Sequence, residues 1–261
     1  MSDKRNTPDD PDTHLPLIEH LVELRSRLLK SILAITLLFC GLVYFSNDIY
    51  EIVSKPIRDQ LPAGTNMIAT DVTATFFAPF KLTLVVAFFL AMPVVLHQAW
   101  RFISPGLYAK EKKLAIPLLV LSVLLFFGGI AFAHFVIFPL IMQFFVMSSP
   151  ASVVVTPDIT QYLNVALKLF LAFGLAFEIP VAVTLVVWSG IMSVKDLAAK
   201  RRYVIVINFV IGMLLTPPDP FSQSLLAVPM CLLFELGLLM ARLVDKSGKT
   251  SDSHEIEKVG S

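Results

Sequence analysis

Carboxylates beside long apolar segments are the residues of this sequence most able to do chemistry. Glu23 lies in a segment whose leucines recur at three- and four-residue steps from Leu17 to Leu28, which predicts an amphipathic helix on a membrane surface. Arg27 follows Glu23 by four residues, so the two could form an internal ion pair. The alternative is that Glu23 is offered to a basic partner, and spacing alone favours the ion pair.

Glu111 stands alone among three basic residues, Lys110, Lys112 and Lys113. Nearby positive charges keep a carboxylate ionised. Glu111 is therefore either an incidental acid in a basic loop or a binding group for a cationic ligand, and the sequence leaves both interpretations open.

Two further acids lie inside apolar segments. Glu178 directly precedes Ile179-Pro180, and a carboxylate at hydrocarbon depth is costly unless it faces a cavity, the protein interior or a partner. Function or partner binding is the favoured interpretation. Lys168 is about 15 Å away along the helix axis, too far for a direct pair, and is expected to extend towards the outer interface. Glu235 lies within two turns of Arg242, so we predict that it is paired near the inner interface.

The elements that must position these residues are membrane helices. Of 261 residues, 56% are hydrophobic and only 16% are charged, whereas a soluble domain is about half apolar and a quarter charged. An ~30 Å hydrocarbon core needs about 20 apolar residues in a helix. Six segments qualify or nearly do: Leu28–Phe45, Phe76–Ala99, Leu114–Phe138, Tyr162–Trp188, Tyr203–Leu215 and Leu225–Ala241. The sequence predicts an all-α integral membrane protein with six transmembrane helices.

Lysines and arginines in alternate connections predict the orientation of these helices. The amino-terminal segment, the second-to-third and fourth-to-fifth connections and the carboxyl tail are all basic, whereas the first connection carries only Lys55 and Arg58. Both termini are therefore predicted to lie in the cytoplasm. The polar segments 1–14 and 243–261 are predicted to be disordered tails around a membrane domain of residues 15–242.

The predicted fifth and sixth helices are short. Tyr203–Leu215 would extend only about 20 Å, which implies either local bilayer thinning or shielding by neighbouring helices. Prolines in or at the ends of the helices predict bends and favour a concave, cupped bundle: Pro93, Pro117, Pro139, Pro180 and Pro229.

The sequence motifs of several other protein classes are missing. The two cysteines, Cys40 and Cys231, are isolated in apolar runs, which argues against a disulfide framework or a zinc site. No GxSxG, HExxH, P-loop or pair of buried aspartates is present, so we expect no enzyme, no metal and no cofactor. An ion-coupled secondary transporter remains the alternative, although such proteins usually show repeats and paired broken helices.

Five strings carry a family resemblance. They are His20-Leu-Val-Glu-Leu-Arg-Ser-Arg-Leu28, Met67-Ile-Ala-Thr-Asp71, the Phe102-to-Glu111 loop, Phe177-Glu178-Ile-Pro180 and Leu215-Thr-Pro-Pro-Asp219. In this order, with six helices, the sequence resembles the twin-arginine translocase C subunit (TatC) family from about Leu15 to Arg242.

The resemblance implies a receptor for folded proteins in the cytoplasmic (inner) membrane of a bacterium. Its cytoplasmic face would bind the consecutive arginines of a signal peptide through Glu23 and Glu111, with Arg25 and Phe102 beside them. The chemistry fits, because the planar guanidinium group of arginine can donate two hydrogen bonds to one carboxylate. The ammonium group of lysine does not reproduce this geometry.

The resemblance also implies protein partners. Glu178 and Gln223 would form a polar patch that receives helices of small single-span subunits of the TatA and TatB types. Export would be driven by the proton gradient. The complex would lie in the lipid bilayer and is expected to contain further copies of the chain and no nucleic acid.

Overall fold

The computed structural model describes residues 11–58, 68–71, 73–103, 112–148, 158–216 and 219–259, and almost all of these are helical. The α-helices of this part of the chain are α1 (Pro11–Leu42), α2 (Ser46–Arg58), α3 (Ala74–Ile103), α4 (Lys112–Phe132), α5 (Phe138–Ser148), α6 (Ile159–Ala176), α7 (Ile179–Trp188), α8 (Val194–Ala199), α9 (Arg201–Leu215) and α10 (Pro220–Val259). A 3₁₀ turn at Val43–Phe45 joins α1 to α2, and a π-helical turn at Ala133–Ile137 joins α4 to α5.

Five segments among the described residues are long and apolar enough to cross a bilayer: His20–Lys55, Thr75–Phe102, Ile116–Phe145, Ile159–Trp188 and Pro220–Leu243. They correspond to five of the six predicted spans and confirm an all-helical membrane architecture. The remaining predicted span is α9, which has 15 residues and a length of about 22 Å. The six-span topology, the side of the termini and the cupped shape stay predictions.

Both terminal helices enter segments that were predicted to be tails. Helix α1 begins at Pro11, inside the predicted tail 1–14, and α10 continues to Val259, through most of the predicted tail 243–261. The division of the chain into tails and a membrane domain stays a prediction.

The predicted fourth span is two helices, because the chain turns at Phe177-Glu178 between α6 and α7. Pro180 lies at the start of α7 and has no amide hydrogen to donate to the carbonyl of Ala176. The amide of Glu178 instead donates to the carbonyl of Leu175, at 3.1 Å, which tightens the end of α6. This turn places Glu178 at the amino-terminal end of α7.

The largest apolar cluster is formed mainly by α3, α4, α5 and α6. Phe126 of α4 and Phe173 of α6 are fully buried in it. Gly129 allows α4 to approach α6 closely, because a Cβ atom there would lie 2.4 Å from the carbonyl oxygen of Phe173. Any larger residue at position 129 would force α4 and α6 apart.

A second cluster joins α7, α8, α9 and α10 around the buried residues Val183, Phe234 and Leu238. A smaller contact connects the two clusters at the α6–α7 turn, where Ala176 meets Met230 and Leu233 of α10. The α6–α7 turn therefore lies where the two apolar clusters meet.

Candidate functional site

The first candidate site lies between the amino-terminal half of α1 and the end of α3. The rings of His20 and Phe102 stack with their centroids 4.3 Å apart and an interplanar angle of 20°. Glu23 follows His20 by three residues and therefore lies on the same face of α1. The stacked rings bring this face of α1 to Phe102.

Glu23 is already paired inside the helix. Arg27 donates from Nε to Oε1 of Glu23 at 3.0 Å, and its Nη2 contacts the same oxygen. The Glu23 side chain is 35% exposed, whereas that of Arg27 is 16% exposed. Both contacts use Oε1, so within the described residues Oε2 of Glu23 accepts no hydrogen bond. The ion pair favoured by spacing is present, and it leaves one carboxylate oxygen available.

Arg25 lies away from this face. It follows Glu23 by two residues, a step that turns the side chain to the other side of a helix. There it borders a shallow groove with Val22, Leu29 and Leu33. The structure thus places Glu23 on the face of α1 whose His20 contacts Phe102 and places Arg25 on another face, while Glu111 lies outside the described residues.

His20 is a contact residue of this site that sequence reasoning missed. Its signals were its place at the start of the first family string and its three-residue spacing to Glu23, and nothing in the sequence said that Phe102, more than 80 positions later, would stack on it.

The second candidate site surrounds Glu178, at the α6–α7 turn. Its Oε1 atom is buried, and the hydroxyl of Ser122, a residue of α4 that is 1% exposed, lies beside the carboxylate. Neither Oε1 of Glu178 nor Oγ of Ser122 forms a hydrogen bond of normal geometry among the described residues. A buried oxygen without a partner is costly, and Glu178 as a whole is only partly buried, so its carboxylate is suited to accept a polar group from outside the chain.

Gln223 connects α10 to α9. Its Nε2 donates to the carbonyl of Phe209 at 2.8 Å. Gly212 makes room for it, because a Cβ at position 212 would lie 3.2 Å from the Gln223 carbonyl oxygen. The side-chain amide of Gln223 is therefore partly used inside the protein.

Glu178 and Gln223 are not brought into one contact. Pro180, two residues after Glu178, lies against α10 at Gly237, where an added Cβ would be 2.9 Å from the Pro180 Cα. Gln223 precedes Gly237 by fourteen residues, which is about 21 Å along α10. The two residues of the predicted polar patch therefore lie several helical turns apart.

Glu235 was expected near Arg242, but its partner in the structure is Arg201, at the start of α9. The contact is bidentate, with Nε of Arg201 2.6 Å from Oε1 and Nη2 2.7 Å from Oε2. Helices α9 and α10 are antiparallel, so the first residue of α9 meets α10 about three turns after the Gly212–Gln223 contact.

Comparison with known proteins identifies the family. The family model described as Sec-independent protein translocase protein (TatC) matches residues 19–229. The chain is 58% identical to the Sec-independent protein translocase protein TatC of Azotobacter chroococcum mcd 1, over 88% of this chain and 90% of that protein. It is 53% identical to the protein of the same name from Escherichia coli K12, over 91% of this chain and 92% of that protein.

Solved structures agree with this match. The chain resembles a protein described as the twin-arginine translocase receptor TatC, with a TM-score of 0.78 and 39% identity, over 86% of this chain and 98% of that chain. A second structure of a TatC receptor, in DDM, gives a TM-score of 0.79 and the same 39% identity over 85% of this chain and 99% of that one. Sequence, family model and fold together show that this chain belongs to the TatC family of protein-translocase components.

Proposed function

We propose that this chain binds the twin-arginine signal peptides of folded proteins, at the end of the molecule formed by α1 and the carboxyl end of α3. The solved relatives are described as twin-arginine translocase receptors, which supports the proposal. The observation that carries it is the arrangement of Glu23, which is held by Arg27 through one oxygen, has its other oxygen available, and lies one turn from the His20 ring that stacks on Phe102.

A signal arginine can use this arrangement in two steps. Its guanidinium group first binds Oε2 of Glu23, while Arg27 keeps the carboxylate in position. It then forms a fork contact by displacing Arg27, and the rings of His20 and Phe102 offer an aromatic face beside it. Each charge-assisted contact contributes about 1.5–3 kcal/mol.

The second arginine of the signal needs a second acid, and we propose Glu111 for it, since this residue follows α3 in the sequence. Arg25 lies on the other side of α1, so we propose that it contacts a different part of the signal peptide from Glu23.

We also propose that the chain has six spans with both termini in the cytoplasm, in the inner membrane of a bacterium. In this orientation α9 is the short fifth span, and the α1–α3 site faces the cytoplasm. The basic residues of alternate connections support this assignment.

A single-span partner of the TatA or TatB type is proposed to dock at Glu178 and Gln223. The carboxylate of Glu178, a residue that is only partly buried, would accept a hydrogen bond from a polar side chain of the partner helix. Because Gln223 lies several helical turns before the part of α10 that contacts Pro180, it would meet the partner helix at a different level from that side chain.

Binding of a labelled signal peptide to the purified full-length protein tests the receptor proposal. Glu23→Gln should weaken binding by about tenfold or more, since 1.4 kcal/mol corresponds to a factor of ten. Glu235→Gln is the matched control, because Glu235 is also an exposed acid paired with an arginine. A peptide with two lysines in place of its arginines should bind weakly to every variant. Equal binding of the arginine peptide to the wild type and to Glu23→Gln would contradict the proposal.

A further inference from the structure

Lys81 of α3 and Lys168 of α6 lie on adjoining helices at the end of the molecule where both helices begin. Nζ of Lys81 donates to Oδ1 of Asn164. Lys168 follows Asn164 by four residues and lies on the same face of α6. Both lysines are exposed, and within the described residues neither forms an ion pair with a carboxylate.

The surface around the two lysines is apolar and open. Leu84, one turn along α3 from Lys81, is 46% exposed, and Leu171 and Leu175, which continue the Asn164 face of α6, are 37% and 50% exposed. This surface faces the hydrocarbon of the bilayer in a chain whose α3 and α6 are membrane spans.

The depth of the lysines can be estimated from helix lengths. The α6–α7 span of 30 residues is about 45 Å long, which exceeds the ~30 Å hydrocarbon core, so its end residues lie among lipid headgroups. Asn164 lies about 7 Å from the start of α6, and Lys168 about one turn deeper. An extended lysine side chain can reach back over that turn, which brings both ammonium groups to the level of Asn164.

We propose that Lys81, Lys168 and Asn164 bind the phosphate of an anionic phospholipid, in the leaflet on the side where α3 and α6 begin. The phosphate neutralises two ammonium groups that would otherwise repel each other, and Asn164 donates to it from its amide nitrogen. One acyl chain lies over Leu84, Leu171 and Leu175. This inference does not depend on the proposed signal-peptide site.

A carboxylate on a partner helix could also neutralise the lysines. It would have to be inserted into the membrane at its own cost, whereas a lipid phosphate is already present at this depth. The lipid is therefore the occupant that the geometry favours.

Native mass spectrometry of the full-length protein in a neutral detergent, titrated with phosphatidylglycerol, tests this site. Lys168→Ala and Lys81→Ala should each weaken retention of one lipid molecule about fivefold, the effect of one lysine near an anionic surface. Lys195→Ala, which removes an exposed lysine of α8, is the matched control and should bind as the wild type does. Phosphatidylcholine, which carries no net charge, should be retained equally weakly by all variants.

Two results would overturn the proposal. One is unchanged phosphatidylglycerol retention in a Lys81→Ala, Lys168→Ala double variant. The other is loss of a co-purifying single-span partner in Lys168→Ala with lipid retention unchanged, which would assign the lysines to a partner carboxylate.

Discussion

Asp158 holds Thr70 with one carboxylate oxygen and caps helix α6 with the other. Oδ2 accepts hydrogen bonds from the Thr70 amide at 2.9 Å and from its hydroxyl at 2.6 Å. Oδ1 accepts from the amides of Thr160 and Gln161 at 2.8 and 3.0 Å. The amide of Ile159 also donates to the carbonyl of Ile68, so the segment before α3 is fastened to the start of α6.

The Asp158 contacts predict a pH dependence of stability. The Thr70 hydroxyl bond and the amide bonds lower the pKa of Asp158 from 3.8 to about 2. A carboxyl whose pKa is lower in the folded state stabilises that state above its unfolded pKa. Its contribution should therefore be complete above about pH 4 and should be lost as the pH falls towards 2. Thermal unfolding in detergent at a series of pH values measures it.

Asp158→Asn is the matching variant, since it keeps the shape of the side chain and removes the titrating group. Its unfolding temperature should be lower than that of the wild type at pH 7 and should change less between pH 4 and pH 2. Parallel pH curves for the two proteins would contradict the role of the Asp158 carboxylate.

The Arg201–Glu235 pair should contribute little to stability despite its fork geometry. Both side chains are 46% exposed, and exposed ion pairs contribute about 0.2–1 kcal/mol. A double-mutant cycle of Arg201→Gln and Glu235→Gln, read by thermal unfolding, should give a coupling energy in that range. A coupling above about 3 kcal/mol would show that the pair is shielded, for example by headgroups or by a partner.

Glu178→Ala should separate partner docking from signal binding. Removing a carboxylate from hydrocarbon depth relieves a cost of at least ~2.5 kcal/mol, so insertion should be unchanged or improved. Crosslinks from a single-span partner to positions beside Gln223 should decrease, because the acceptor is lost. Signal-peptide binding should persist, since the α1–α3 site is built from other helices.

Ser122→Ala is the control for this experiment. It removes the buried hydroxyl next to Glu178 and leaves the carboxylate in place. Partner crosslinks should be kept in this variant. Loss of signal binding in Glu178→Ala with intact partner crosslinks would reverse the proposed roles of the two sites.

Cysteine labelling tests the proposed orientation of the helices in the membrane. After replacement of Cys40 and Cys231, a cysteine at position 148 should react with a reagent that cannot cross the membrane when it is added outside intact cells. Cysteines at positions 195 and 253 should react only after the membrane is opened. Labelling of position 195 from outside would exclude the assignment of α9 and α10 proposed here.

The membrane architecture was predictable because hydrocarbon leaves a strong signal in sequence. Long, predominantly apolar runs identified the five membrane-length segments, since few polar residues are tolerated where a helix faces lipid. The Glu23–Arg27 pair was also predictable, because both partners belong to one helix and their spacing alone fixes the contact.

Contacts between distant segments could not be predicted in the same way. The stacking of His20 on Phe102 and the pairing of Glu235 with Arg201 depend on which helices become neighbours and at which register. The break at Phe177-Glu178 was marked by Pro180, but a proline within an apolar run can equally bend a continuous helix. The separation of Arg25 from Glu23 follows from helix geometry, whereas the family resemblance had grouped the two residues.

The turn at Phe177-Glu178 has a consequence for how the protein is made. The apolar cluster before the turn is built mainly from α3 to α6, all of which are synthesised before α7. The helices after the turn pack chiefly with one another, around Val183 and Phe234. A nascent chain can thus pack most of its first half in the membrane before the second half has been synthesised. Glu178 lies at the boundary between these two halves.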